Sequence, residues 1–187
     1  MKKWLLYGSV FAVALAVPIG GSVWWYKSQP YHFEAVTPGK LYRSGTLRPK
    51  NLRKVIDECS IKTVISLRTE GERQMGDWYQ HERAICQEKG VKLLHIPIDE
   101  PPSTQHVDEW LDLVTSAEHL PILVHCKLGA VRTSVMVAIY EMEILRKDNE
   151  KTLAELSVFG HSMHKPNRHH LRDYILQYAP RWSVEPE

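Results

Sequence analysis

The sequence has few cysteines and no excess of charge of either sign. Its 187 residues include three Cys, 24 Lys and Arg, and 22 Asp and Glu, which gives a formal net charge of +2. Disulfide-stapled secreted domains carry many more cysteines, and nucleic-acid-binding domains are strongly basic. Hydrophobic residues make up 43% of the chain and charged residues 25%, which excludes a disordered or low-complexity protein. We therefore expect a globular domain without a nucleic-acid partner.

Charge is also missing from one continuous segment near the N-terminus. Residues 4–26 contain no Asp, Glu, Lys, Arg or His. As a helix they would span roughly 35 Å, enough to cross a hydrocarbon core of about 30 Å. We predict a single-pass N-terminal membrane anchor, and Lys2 and Lys3 weakly favour placing the rest of the chain outside the cytoplasm. The alternative is a cleaved signal peptide, with 14–16 (Ala-Leu-Ala) as the cleavage site.

The remainder of the chain is formally neutral. Taking Lys2 and Lys3 from the 24 basic residues leaves 22, which equals the number of acidic residues. We predict three parts: an anchor or signal segment at 1–27, a linker containing Pro and Gly at 28–39, and one domain at 40–187.

Short β-branched segments alternate with longer helical patterns in this domain. The predicted strands are 62–67, 91–98 and 121–125, and the predicted helices are 51–59, 71–89, 103–118, 131–147, 152–159 and 167–178. Strands that alternate with helices favour parallel pairing. The prediction is an α/β fold with a central, mainly parallel sheet flanked by helices.

One nine-residue segment combines several groups suited to binding an anion. It joins the predicted strand 121–125 to the predicted helix 131–147, and it reads His125-Cys126-Lys127-Leu128-Gly129-Ala130-Val131-Arg132-Thr133. Backbone N–H groups at the start of a helix lack intrahelical partners and, with the helix dipole, attract anions. Gly129 allows a tight loop, and the Arg132 guanidinium can bind two phosphate oxygens at once.

Cys126 lies inside this electropositive loop. Such surroundings lower the pKa of a thiol to roughly 3.5–7.5, so that it is a nucleophilic thiolate at neutral pH. The natural reaction is attack on a phosphoryl group, which forms a phosphocysteine intermediate. Cys59 and Cys86 have no comparable setting, and we interpret them as small core residues.

The segment resembles the signature of the cysteine-based protein tyrosine and dual-specificity phosphatases, which is His-Cys, five residues and then Arg-Thr. The segments LYRSG (41–45), KTVISLR (62–68), HIPID (95–99) and PILVHC (121–126) are similar to the compact bacterial and plant-fungal dual-specificity type. The resemblance covers roughly residues 40–147. It implies a phosphatase-like fold and hydrolysis of phosphate monoesters in phosphoproteins or small phosphates, without a metal or other cofactor.

The resemblance also implies roles for the residues of the segment. Cys126 would be the nucleophile, and Arg132 would bind the phosphate in the ground and transition states. The main-chain amides of residues 127–132 would hold the phosphoryl oxygens. His125 would orient the loop and help to keep the thiolate, and Thr133 would assist breakdown of the phosphocysteine.

The family's general acid is an aspartate on a loop ahead of the nucleophile strand, where it protonates the leaving oxygen. Asp99, 27 residues before Cys126, is the best match. Glu100 is the second candidate and Asp108 the third, because Asp108 falls within a predicted helix. A loop or capping carboxylate is the alternative interpretation of Asp99.

The sequence departs from its relatives at two positions. Ser134 stands where many relatives have Gly, and Ala130 occupies a position that is often basic in enzymes acting on inositol phosphates, although Lys127 is present. Arg43 and Arg68 either border the phosphate site or form surface salt bridges.

Three functions therefore stay open. They are a phosphatase of phosphotyrosine or mixed phosphoprotein substrates, a membrane-associated phosphatase of lipid or inositol phosphates, and a phosphate-binding module without turnover. A group of histidines follows the domain's main motifs, and we interpret it as a solvated, partly basic surface rather than a metal site: His161, His164, His169 and His170.

Overall fold

The computed structural model describes residues 29–183. Five short strands form one sheet in the order β1-β2-β5-β3-β4. They are β1 (Glu34–Thr37), β2 (Leu41–Ser44), β3 (Thr63–Ser66), β4 (Lys92–His95) and β5 (Ile122–His125). β1 and β2 pair antiparallel, and the other pairs are parallel. The predicted α/β fold with a mainly parallel sheet is confirmed for this part of the chain.

Helices cover both faces of the sheet. They are α1 (Pro49–Cys59), α2 (Glu70–Arg73), α3 (Trp78–Lys89), α4 (Thr104–Thr115), α5 (Arg132–Glu143), α6 (Asn149–Glu155) and α7 (His169–Gln177), with 3-10 turns at Pro166–Arg168 and Arg181–Ser183. Apolar side chains of α1 and α3 pack on one face, and those of α4, α5 and α7 pack on the other. α5 is the most deeply buried of these helices, and its first residue is Arg132.

Two predicted segments differ from the structure. The helix predicted at 71–89 is divided into α2 and α3 because Gly76 between them has φ +74°, a left-handed conformation that interrupts a right-handed helix. β1 lies within the segment predicted as the linker 28–39, because its backbone pairs with β2 and Val36 packs against the core. The boundaries proposed for the three parts of the chain remain predictions.

The predicted membrane segment, residues 4–26, lies outside the described residues. Between residues 29 and 183, none of the helices has the length and apolar character needed to cross a membrane.

The register of the parallel strands brings their carboxyl ends to the same edge. His125 of β5 is paired with Ser44 of β2 and with Ser66 of β3, and Ser66 is paired with His95 of β4. The residues that follow these four positions therefore lie side by side. In open α/β sheets this edge is where ligands bind.

Candidate active site

The predicted anion-binding segment lies at this edge, between β5 and α5. His125 is the last residue of β5, Cys126 comes directly after it, and Arg132 begins α5. Residues 126–131, called here the Cys126 loop, form the connection. The structure thus brings Cys126 and Arg132 to the carboxyl end of the buried central strand, as the sequence predicts.

Five consecutive carbonyls of the Cys126 loop are hydrogen-bonded to groups around it. Two of them accept from Thr46, two bond side chains of the β1–β2 region, and one accepts from α5. In chain order the contacts are Cys126 O with Thr46 Oγ1 (3.2 Å), Lys127 O with Thr46 N (3.2 Å), Leu128 O with His32 Nδ1 (2.7 Å), Gly129 O with Arg43 Nη2 (2.6 Å), and Ala130 O with Ser134 Oγ.

These contacts determine where the loop's N–H groups point. In a planar trans peptide the N–H points opposite to the carbonyl of the preceding residue. Carbonyls drawn outward at residues 126–130 therefore turn the N–H groups of residues 127–131 toward the inside of the loop. The Gly129 N–H lies 3.2 Å from the Cys126 sulfur and donates to it. The loop is therefore oriented to donate inward, and its hydrogen bond from Gly129 to the sulfur is already formed.

Gly129 has a backbone conformation and a packing position that admit no side chain. Its φ is +70°, and a Cβ atom there would lie 2.4 Å from backbone atoms of Ser44 and Gly45. Because the loop is pressed against the end of β2, the outward hydrogen bonds of its carbonyls can form.

Cys126 is 3% exposed and lies at the bottom of the loop. Burial acts to raise the pKa of its thiol, but the hydroxyl and N–H of Thr133, the charge of Arg132 and the Gly129 N–H outweigh burial and hold that pKa below its ordinary value. Cys86 is the contrasting case, since burial raises its pKa to about 12. The pKa values of the two thiols are therefore shifted in opposite directions.

Arg132 is held by a carboxylate that the sequence analysis did not single out. Its Nη1 and Nη2 donate to the two oxygens of Glu72, at 2.6 and 3.1 Å, and Nη1 also donates to the carbonyl of Leu67 at 3.2 Å. These bonds lower the pKa of Glu72 to about 2. Glu72 also accepts from the N–H of Thr69 at 3.0 Å, so the start of α2 is anchored to the start of α5.

The three candidates for the general acid lie in different surroundings. Glu100 is near Arg132, with Oε1 3.9 Å from Arg132 Nε. Asp99 is exposed and makes no hydrogen bond or ion pair with another described residue. Asp108 lies on α4, exposed and paired with Arg181.

Arg43 and Arg68 are buried, so the surface salt bridge considered for them is wrong. Arg43 is 1% exposed and donates from Nη2 to Gly129 O and to the Ser134 hydroxyl at 2.7 Å. Arg68 donates from Nη1 to Thr46 Oγ1 at 3.2 Å. Arg43 thus holds the Cys126 loop directly, whereas Arg68 supports Thr46, which also holds it. Ser134, the departure from the family's usual Gly, supplies one of Arg43's partners.

The histidines of the C-terminal region are not among the residues that contact the Cys126 loop. His164, His169 and His170 are exposed, whereas His161 is half-buried and bonded to Arg168 Nη2 at 3.3 Å. Within residues 29–183 no group of three or more His, Cys, Asp or Glu side chains is arranged to hold a metal ion.

Sequence reasoning missed four residues that contact the site: His32, Thr46, Glu72 and Glu82. Only Glu72 carries a local signal, since Thr69 and Glu72 have the spacing of a capping box. The other three meet the site through contacts that are distant in sequence.

Comparisons with known proteins agree with this geometry. A family model described as "PTP-NADK: DSP-PTPase phosphatase fused to NAD+ Kinase" matches residues 33–172, about three quarters of the chain. This range includes β1 and every element through the start of α7.

Solved structures show the same fold. The core catalytic domain of the PP-IP phosphatase Siw14 from S. cerevisiae superposes with a TM-score of 0.67 at 19% identity, covering 81% of this chain and 87% of that one. TpbA of P. aeruginosa gives a TM-score of 0.62 at 23% identity, covering 78% and 83%. TpbA in complex with phosphotyrosine, as a Cys-to-Ser variant, gives 0.54 at 22% identity, covering 81% and 99%.

Proposed function

The chain belongs to the DSP-PTPase family of phosphatases, and from this premise we propose that it hydrolyses phosphate monoesters of phosphotyrosine or mixed phosphoprotein substrates through a phosphocysteine intermediate. The observation that carries the proposal is the Cys126 loop itself. Its carbonyls are bonded outward, its N–H groups are turned inward, and a thiol of lowered pKa lies among them beside Arg132.

The first step is attack of the Cys126 thiolate on phosphorus. A sulfur–phosphorus bond forms while the phosphorus–oxygen ester bond breaks, and the leaving oxygen takes a proton from the general acid. The inward N–H groups and the Arg132 fork stabilise the charge on the three phosphoryl oxygens, which grows in the transition state. Because the donors are already oriented, little reorganisation opposes the reaction.

The second step is hydrolysis of the phosphocysteine. Water attacks phosphorus, the sulfur leaves as a thiolate, and the carboxylate left by the general acid accepts the water's proton. Thr133, which helps to lower the pKa of Cys126, stabilises the departing thiolate. We keep Asp99 as the acid, with Glu100 as the alternative, because both lie on the loop after β4 that reaches Arg132.

The experiment is a comparison of Cys126→Ser with the wild type, using the purified full chain and an aryl phosphate. We expect turnover by the wild type and none by the variant, because a serine hydroxyl is not ionised at neutral pH. Turnover that survives the substitution would refute the cysteine mechanism. Phosphate binding by a wild type that never turns over would favour the third possibility, a non-catalytic binding module.

A second candidate is the hydrolysis of lipid or inositol phosphates. The similarity of the fold to Siw14, a PP-IP phosphatase, and the exposed Lys127 in the Cys126 loop favour it. Ala130, by contrast, is buried and supplies no second cation. The two candidates are distinguished by measuring kcat/KM on one enzyme preparation with three substrates: a phosphotyrosyl peptide, an inositol polyphosphate and phospholipid vesicles.

We also propose that residues 4–26 anchor the enzyme in a membrane, on the basis of their uncharged length. A tether raises the effective concentration of substrates at the same surface. Reporters fused at Tyr26 and at Glu187 would determine on which side the domain lies. Recovery of the chain in the soluble fraction without loss of the segment would contradict the anchor.

A further inference from the structure

A buried ion pair lies behind the Cys126 loop and has no part in the steps above. Glu82 Oε1 of α3 lies 2.9 Å from His125 Nε2 of β5, and the two side chains are 5% and 2% exposed. The contact is close, but His125 Nε2 has no hydrogen-bond partner in the described part of the chain. The second oxygen, Oε2, has no hydrogen-bond partner among residues 29–183.

Such a pair needs an explanation beyond stability. Removing two charged groups from water costs several kcal/mol for each ion, and replacing a buried pair by apolar residues is often neutral or stabilising. An incompletely bonded carboxylate makes the arrangement less favourable still. Stability alone therefore does not explain the pair.

The other nitrogen of His125 connects the pair to the nucleophile. Nδ1 lies 3.3 Å from the carbonyl of Cys126. An imidazolium carries protons on both nitrogens, so it can face the Glu82 carboxylate on one side and donate to that carbonyl on the other. Trp78 of α3 packs against the imidazole edge-on, with ring centroids 6.4 Å apart.

The protonation state follows from these neighbours. Burial acts to lower the pKa of His125, but the charges of Glu82 and Cys126 outweigh burial and raise that pKa above its ordinary value. Coulombic interactions are mutual, so an imidazolium that is stabilised by the Cys126 thiolate also stabilises the thiolate.

Other charged groups face Cys126 from the elements around it. The cations that act on Cys126 are Arg43 from β2, Arg68 after β3 and Arg132 from α5. The anions lie against these cations or against His125: Glu72 and Glu100 are near Arg132, and Glu82 contacts His125. Arg132 and Glu72 are paired with each other, and Arg68 lies over the Trp78 ring at 3.8 Å. Glu82 is the anion that contacts His125, whose Nδ1 lies beside the Cys126 carbonyl.

We propose that Glu82 is a positioning residue that keeps His125 as an imidazolium at neutral pH. Glu82 thereby supports the role that the family resemblance already implies for His125, which is to orient the Cys126 loop and to help keep Cys126 as a thiolate. The inference rests on the proposed function, because it explains how the nucleophile of that reaction is maintained. The pair as a whole is neutral, but its positive end faces Cys126, so its field favours the thiolate.

Glu82→Gln tests the proposal, because it keeps the shape of the side chain and removes the charge. The measurement is the rate of alkylation of Cys126 by iodoacetamide between pH 4 and 9, followed by mass spectrometry of the peptide that contains Cys126. We expect the pKa of Cys126 to rise by about one unit in Glu82→Gln. At pH values below the pKa of Cys126, kcat/KM of Glu82→Gln should be about tenfold lower than that of the wild type. At higher pH the two values should converge.

Glu88→Gln is the matched control. Glu88 lies on the same helix and is exposed, and its carboxylate pairs with Arg53 at 2.7 Å, away from His125. This variant should alkylate with the wild-type pKa. An unchanged Cys126 pKa in a folded Glu82→Gln, equal to that of the Glu88→Gln control, would overturn the proposal.

A second measurement needs no variant and covers the case in which Glu82→Gln does not fold. Nitrogen-15 NMR of the His125 imidazole, recorded from pH 5 to 9, reports whether both nitrogens carry protons. We expect a doubly protonated ring at pH 7, and a ring that is neutral at pH 6.5 would overturn the proposal. Because alkylation and NMR do not depend on turnover, failure of the phosphatase assay and failure of this inference are distinguishable.

Discussion

The two terminal nitrogens of Arg132 are both bonded to Glu72, at 2.6 and 3.1 Å. This contact joins α2 to the first residue of α5 and fixes the plane of the guanidinium before any substrate arrives. An arginine that is held by a carboxylate on one edge presents its remaining donors in one orientation. Glu72 thus acts on the candidate reaction through Arg132.

Substitution Glu72→Gln tests this role. Without the negative charge of Glu72, the Arg132 guanidinium is less firmly oriented. Because a small misplacement of a binding group lowers the rate strongly, we expect kcat/KM to fall about 10- to 100-fold. Glu70→Gln is the matched control, because Glu70 is an exposed residue of the same helix that pairs with Arg73. Equal effects of the two substitutions would contradict the role.

The Glu72–Arg132 pair also predicts a pH dependence of stability. The pKa of Glu72 is lowered to about 2 in the folded protein, mainly by its bonds to Arg132. Because the pKa of Glu72 is lower in the folded protein than in the unfolded chain, the ionised carboxylate stabilises the fold at pH values above its unfolded pKa, near 4.5. This stabilisation is lost as pH falls toward 2. The difference in unfolding free energy between wild type and Glu72→Gln should therefore be constant above pH 5 and shrink below pH 4. Urea unfolding at pH 3, 4, 5 and 7 measures it, and a constant difference would contradict the assignment.

Gly129→Ala compared with Gly90→Ala tests the packing of the Cys126 loop. Both glycines have positive φ, +70° and +65°, but only a Cβ at residue 129 would meet other atoms. We expect Gly90→Ala to cost about 1 kcal/mol of unfolding free energy, from backbone strain alone. Gly129→Ala should cost more and also lower kcat/KM, because the loop must move away from β2. Equal stability and activity of the two variants would show that the close approach is unimportant.

Much of this arrangement is predictable from the sequence because it is local. The β-branched runs, the helix periods and the nine-residue segment from His125 to Thr133 each depend on neighbours in the chain. What the sequence does not reveal are contacts over long separations: Glu72 reaches Arg132 across 60 positions, and His32 reaches Leu128 across 96. A buried glutamate such as Glu82 also has no local pattern that separates it from the exposed glutamates of the same helix.

The identity of the general acid can be tested through the leaving group. Asp99→Asn should lower kcat by about 10²- to 10⁴-fold for an alkyl phosphate, whose leaving oxygen needs a proton, and by much less for an aryl phosphate with an acidic phenol. Glu100→Gln should affect both substrates alike, through its charge near Arg132. The reverse pattern would assign the role to Glu100. Asp108→Asn, on the exposed face of α4, tests the third candidate and should leave both substrates unaffected.

The proposed mechanism requires that phosphate form a covalent bond to Cys126. Acid quenching of the wild-type full chain during turnover of an aryl phosphate, followed by mass spectrometry of the Cys126 peptide, detects this bond. We expect a phosphorylated peptide whose modification lies on Cys126, and no such modification in Cys126→Ser. Release of phosphate with no labelled Cys126, or label on another residue that persists in Cys126→Ser, would rule out the phosphocysteine intermediate.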